Sequence, residues 1–186
     1  MILFNSHHVG AVSAVCPVFW GIMDLLEVKS RIAEALVESI FRRARYQIQP
    51  FRNHTSPLRF GREDFSPDFR VTPEVDSTNE GEFLIEVKYR PSAFQFVSVE
   101  NQRGERSIFY MARRQWPNLY FILVTDRPES GRSCFQAIAF GSMRTGEPFR
   151  TVDLVELKEL RIFQQNIGDH EELIRRIFSL LSGAQP

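Results

Sequence analysis

Pro67-Asp68 and, eighteen residues further on, Glu86-Val87-Lys88 are the two runs whose residue types could do chemistry together. Residues two apart on a strand share a face, so Glu86 and Lys88 point the same way if their run is extended. A neighbouring antiparallel strand carrying Asp68 would gather two carboxylates and an ammonium in one small space. Two carboxylates, joined by the backbone carbonyl of Val87, are the hard oxygen donors that Mg²⁺ prefers. A cation held there lowers the pKa of a bound water and stabilises charge building on phosphoryl oxygens, which suits phosphodiester hydrolysis. Lys88 would orient that water and neutralise the transition state, because a lysine is a poor base unless burial lowers its pKa.

The acid-x-Lys triplet alone decides nothing. All three lysines of the chain occur in one: Glu27-Val28-Lys29, Glu86-Val87-Lys88 and Glu156-Leu157-Lys158. The first and third fall in runs with helical periodicity. Only the middle one lies in an apolar strand-like run, Glu82 to Tyr89, and an acid set into such a run is an oddity that asks for a reason. The competing explanation is an edge-strand salt bridge between Glu86 and a neighbouring base.

The elements that must position these residues can be read from periodicity. Asp24 caps a helix running to Arg45, with Leu25, Ile32, Leu36 and Ile40 at helical spacing. Tyr46 to Phe51 alternates as a strand, residues 53–62 read as a loop, and Phe65 to Thr72 as a second strand with Pro67 near one end. Pro73 to Gly81 is a turn, which makes the second and third strands antiparallel neighbours. Ser92 to Gly104 is ambiguous, and Glu105 to Gln115 is helical up to Pro117. Leu119 to Thr125 is a continuous apolar run, as in a strand buried on both faces, and Cys134 to Phe140 is another strand. Val152 to Leu160 and Glu171 to Leu181 read as helices. The expected class is α/β: a mixed central sheet flanked by helices, with C-terminal helices.

At 43% hydrophobic and 25% charged, with 17 Phe, the chain has material for one full core. Residues 23–186 read as one domain, with a core over 24–126 and an extension over 127–186. Residues 1–22 read as a loose leader or as lying upstream of the natural start. Their apolar run is too short to span a bilayer and lacks a positive flank, so no membrane role is expected. Cys16 and Cys134 form no CxxC pair, and His7-His8 are incidental, so a zinc site is not expected and the chain reads as intracellular, that is, cytoplasmic. The net charge is zero, yet Ser39 to Arg62 holds six arginines and no acid, while Glu147 to Glu172 holds seven acids and three bases. That asymmetry fits a polyanion-binding face and equally a solvated surface. The 20 Arg against 3 Lys suit phosphate contact. There is no Walker loop, GxGxxG, HExxH or GxSxG.

SPDFRV (66–71) and EVKYR (86–90) resemble the second- and third-strand motifs of the PD-(D/E)xK nuclease superfamily, which includes restriction endonucleases and Holliday-junction resolvases. The order helix, three strands, helix, strand over 24–126 resembles their α-β-β-β-α-β core. The resemblance implies a restriction-endonuclease-like fold, a Mg²⁺-dependent endonuclease (with Mn²⁺ as substitute) and DNA as the substrate. Asp68, Glu86 and the Val87 carbonyl would hold the metal, with Lys88 catalytic beside them. It also implies a first-helix glutamate at the metal, for which Glu34 is the expected residue, Glu38 the fallback and Glu27 a weaker candidate. The helix after the third strand would border the substrate groove, placing Arg106, Tyr110 and Arg113 there. Arg90, on Lys88's face, is a further candidate for phosphate contact.

Asp64 and Asp126 read as loop or cap acids, and His54 and His170 as surface residues. The alternative function is a non-catalytic nuclease-like module that binds nucleic acid or a protein partner. A third is an α/β scaffold with no nucleic-acid role. A homodimer or partner subunit would suit cutting of two strands and could supply DNA affinity that a neutral chain lacks.

Overall fold

The computed structural model describes residues 24–51, 58–60, 63–74, 81–140 and 147–183. The expected leader, His7-His8, Cys16 and His54 lie outside these residues.

Helix α1 (Leu25–Arg43) starts where Asp24 accepts a hydrogen bond from the Leu26 N–H at 3.4 Å. Its buried stripe is Lys29, Ala33, Leu36, Val37, Ile40 and Phe41, the i, i+4, i+7 spacing of one helix face. Strand β1 (Tyr46–Pro50) follows directly. Within the expected loop over 53–62 lies β2 (Leu58–Phe60), which pairs with β3 (Glu63–Phe65) just beyond it as a short hairpin. Asp64 therefore sits on β3 and not in a loop. The expected strand from Phe65 to Thr72 is broken: β3 ends at Phe65 and β4 is Phe69–Pro73. Pro67 lies in the break, where its missing N–H cannot serve a ladder.

β5 (Phe83–Tyr89), helix α2 (Ala93–Gln102), a 3-10 turn (Gly104–Arg106), helix α3 (Ile108–Gln115) and β6 (Leu119–Val124) come next. The ambiguous segment is thus a helix, capped by Ser92 on the Gln95 N–H. Arg106 belongs to the 3-10 turn before α3 and not to a helix.

β7 (Phe135–Ala139) and β8 (Arg150–Asp153) complete a six-stranded sheet in the order β1-β4-β5-β6-β7-β8. Only β5 and β6 pair in parallel, joined by the α2–α3 crossover; every other neighbour is antiparallel. The helix expected over 152–160 is absent: β8 gives way to 3-10 turns at Leu154–Glu156 and Lys158–Leu160. Leu154, Leu157 and Leu160 are all buried at a spacing of three, which imitates helical periodicity but is the 3-10 repeat. Helix α4 spans Gln164–Gly183.

The molecule is therefore α/β, a mixed open sheet with helices. One face of β5, through Ile85, Val87 and Tyr89, meets α1 and α4; Leu84 on the other face joins Phe109, Phe121 and Trp116 beneath α2 and α3. α4 packs along α1, so the C-terminal extension covers the sheet. No helix among the described residues is long and apolar enough to cross a membrane.

Candidate active site

β4 and β5 stay paired only from Val71↔Phe83 to Phe69↔Ile85, and then part. Asp68 stands at this fork. Its N–H donates to the Ile85 carbonyl at 2.9 Å and its carbonyl accepts from Phe51 at 3.2 Å, so its backbone is held by both neighbouring strands. Its side chain takes over where the ladder stops: the Val87 N–H donates to Asp68 Oδ2 at 2.7 Å. Leu84 and Arg90 bond through their N–H groups to Asn118 and Val124 on the β6 side. Odd residues of β5 therefore direct their backbone to the β4 side, and the Val87 carbonyl, like its N–H, faces the fork beside Asp68.

Glu86 is 1% exposed on a central strand, which excludes the edge-strand explanation for it. One carboxylate oxygen, Oε1, pairs with Lys88 Nζ. The other, Oε2, is buried with no hydrogen-bond partner among the described residues. Lys88 is held in turn over the Phe65 ring, 5.5 Å from its centroid.

The charges do not sit comfortably. Burial, with Glu34 nearby, pushes the Asp68 carboxyl up to about 6 against the pull of the Val87 N–H, Lys88 and Arg31. Burial first, then the Asp68 charge, pushes Glu86 up to about 8 in spite of Lys88. These are the shifts expected where two carboxylates share a space and one lacks a counter-charge.

Asp68, Glu86 and Lys88 open on a cleft of about 500 Å³ whose other wall is the first part of α1: Asp24, Leu26, Glu27, Ser30, Arg31 and Glu34. Glu34 and Glu27 thus line the same cleft as Asp68 and Glu86. Glu38 lines an adjoining cleft with Arg31, Glu34, Arg42 and Asp68, and it is tied to Arg42 by two hydrogen bonds of 2.5 and 3.2 Å.

The residues fit a divalent cation in their chemistry. Glu86 Oε2 is a buried oxygen without a partner, Asp68 is a second carboxylate electrostatically felt at Glu86, and Val87 offers a carbonyl on the same side. Excess buried negative charge is what a hard cation offsets. Among the described residues, no three acid, histidine or cysteine side chains already stand at metal-ligand spacing. A full shell would need the Val87 carbonyl, Glu34 or water to complete it.

Four residues expected at the substrate groove do not line the cleft. Arg90 packs its guanidinium on the Phe96 ring at 4.4 Å and donates to the Tyr89 carbonyl at 2.8 Å. Arg113 turns inward, donating to the Leu119 carbonyl at 2.5 Å and lying over the Tyr120 and Phe140 rings. Arg106 is exposed on its 3-10 turn. Tyr110 is buried against Phe149.

Two further readings change. His170 is 6% exposed, because it lies on the buried face of α4 with Ile167, Ile174 and Phe178; its Nε2 is 2.9 Å from Ser39 Oγ, and burial and Arg43 push its pKa down. Asp126 is no simple cap: it accepts from the Tyr89 hydroxyl at 2.9 Å and pairs with buried Lys29 at 3.3 Å. Sequence reasoning missed Arg31 at the cleft, although its place one turn before Glu34 on the same helix face was a usable signal. Comparison with protein-family models, curated proteins and solved structures gives no match for this chain.

Proposed function

We propose that this chain is a Mg²⁺-dependent nuclease of the PD-(D/E)xK type, hydrolysing phosphodiester bonds in DNA, with Mn²⁺ able to substitute. The observation that carries the reading is Glu86: a buried carboxylate with one oxygen unpartnered among the described residues, beside a second carboxylate, at the floor of an open cleft. A fold has no structural use for such a group, since an apolar residue would pack there at less cost. The order of α1, the three antiparallel strands β1, β4 and β5, the α2–α3 crossover and parallel β6 supports a restriction-endonuclease-like core.

In this reading Asp68, Glu86 and the Val87 carbonyl hold the cation, and Glu34 is the further acid within reach. When bound, the metal supplies a water of lowered pKa and charge stabilisation at the phosphoryl oxygens. The chain supplies position. The backbone clamp on Asp68 and the rigid central strand under Glu86 fix where the water oxygen meets phosphorus. The new P–O bond forms as the ester P–O bond breaks; the attacking water gives up a proton to solvent, and the departing oxygen takes one up. Lys88, already beside Glu86, places a positive charge where negative charge develops. A homodimer or partner protein would bring a second site to the opposite strand of a duplex.

The test is cleavage of supercoiled plasmid and of labelled single-stranded and branched DNA with Mg²⁺ or Mn²⁺. Asp68→Ala and Lys88→Ala should abolish cutting while circular dichroism stays native. Cutting that persists in both variants sinks the assignment; no cutting by any protein, with equal DNA binding by all three, favours the binding module.

A further inference from the structure

The site as described holds acids and one lysine, and the lysine is engaged. A phosphodiester brought to the Asp68–Glu86 pair needs a cation of its own. The candidate cations differ sharply in what they already hold. Lys88 is on Glu86. Arg90 and Arg113 are spent on ring faces and backbone carbonyls away from the cleft. Arg42 is fixed to Glu38 through two bonds. Lys29 is buried among Tyr89, Asp126 and Ser182.

Arg31 is different. Its side chain is 70% exposed, and its ion pair is a single long contact, 3.4 Å to Glu34. It lines both the 500 Å³ cleft over Glu86 and the adjoining one of about 310 Å³, and only Arg31, Glu34 and Asp68 are common to the two. Its charge is felt at Asp68. Arg31 therefore borders both clefts, near enough to Asp68 for its charge to act there without an ion pair between them. Its planar fork matches two phosphate oxygens at once.

Arg31, Glu34, Glu38 and Arg42 follow one another at i, i+3, i+7 and i+11, a single stripe of α1 facing that groove. Arg31 and Arg42 are thus roughly 16 Å apart along the helix. The acids between them make the groove unwelcoming to a polyanion, which leaves Arg31 as the exposed, loosely held cation of the cleft among the described residues.

We propose that Arg31 is the phosphate-gripping residue of this site: it holds the substrate phosphodiester over Asp68, exchanging its loose contact with Glu34 for the phosphate. This rests on the nuclease reading and adds a substrate-binding residue to it.

The experiment measures binding of a fluorescein-labelled single-stranded oligonucleotide, with Ca²⁺ in place of Mg²⁺ so that the strand is held and not cut, as a function of salt. Cleavage kinetics in Mg²⁺ accompany it. The proteins are wild type, Arg31→Ala, Arg31→Gln, Arg31→Lys and, as a remote control, Arg176→Ala on the exposed face of α4. Both neutral variants should bind about tenfold more weakly or worse. The slope of log affinity against log salt should shrink by about 0.7, one phosphate contact on a single strand. KM should rise by a similar factor with kcat little changed, Arg31→Lys should recover part of the loss, and Arg176→Ala should match wild type. If wild type cuts DNA in an Asp68-dependent way while the neutral variants keep its affinity and salt slope, the Arg31 role is overturned and the nuclease reading stands. If wild type neither binds nor cuts, both fall.

Discussion

Glu86→Gln should make the metal-free protein more stable above neutral pH, although it removes a buried ion-pair partner. The sign follows from the direction of the shift. The Glu86 carboxyl goes from an ordinary 4.5 to about 8 in the fold. A group whose pKa is raised by folding contributes no penalty below its unfolded value, and stability is lost as pH climbs through the folded one. Between about pH 4.5 and 8 the unfolded chain ionises while the fold resists, so the wild type weakens across that window. At roughly 1.36 kcal/mol per pKa unit, the full span corresponds to about 5 kcal/mol as an upper bound. Glutamine keeps a buried polar group and forfeits the Lys88 contact, which leaves a net gain of about 1–3 kcal/mol. Urea denaturation in chelator at pH 5 and at pH 8.5 reads both the gain and its disappearance at low pH. Adding Mg²⁺ at pH 8.5 should stabilise wild type and leave Glu86→Gln nearly unmoved. A Glu86→Gln protein that is less stable than wild type at pH 8.5 in chelator would refute the idea that this carboxylate is held against its preference.

Because Glu86 and Asp68 are raised, to about 8 and about 6, and both must lose their protons to bind a cation, Mn²⁺ affinity measured by calorimetry should fall by about tenfold per pH unit between pH 8 and pH 6 and by about a hundredfold per unit below pH 6; a pH-independent affinity would place the metal elsewhere. Glu34→Gln should weaken that affinity several-fold while Glu38→Gln, whose acid is tied to Arg42, leaves it unchanged, and the reverse pattern would make Glu38 the ligand. Lys29→Met strips the partner from Asp126, whose side chain is 10% exposed, and from the Tyr89 hydroxyl; equilibrium unfolding should show a loss of about 3 kcal/mol, partly restored by Asp126→Asn, and a loss below about 1 kcal/mol would make the network dispensable.

Much of the site could be read from the chain because its residues break local rules. Glu86 interrupts an apolar run, and nothing but a buried strand explains Leu84, Ile85 and Val87 around it. Asp68 is marked by the Pro67 before it, although the run 65–72 reads as one strand and its break at Pro67 does not show. What stayed hidden obeys local rules but serves a distant partner. Lys29 falls on the stripe of Ala33, Leu36, Val37 and Ile40, yet an amphipathic pattern treats a lysine as solvent-facing, since its partners Asp126 and Ser182 are about 100 and 150 residues away. α2 was ambiguous because Phe94, Phe96, Val97 and Val99 favour a strand by type, and only the Ser92 cap and the packing of Ala93 and Val97 decide for a helix. The hairpin of β2 and β3 is built from three-residue strands, too short for any period to show.

The packing of α4 along α1 has a consequence for how the molecule is made. Ala33, Val37 and Ile40 share one core with Ile167, Ile174 and Phe178, and Ser182 in the last turn of α4 closes on Lys29 in the first turns of α1. On a ribosome, α1 leaves the tunnel long before α4 is translated, an interval on the order of ten seconds. For that time the apolar stripe of the first helix lacks its partner, and Lys29 lacks the serine that helps to fix it. Nascent chains should therefore depend on holding chaperones until Gly183 clears the exit. A stop codon before Ile174 would remove two of the three α4 residues that cover that stripe.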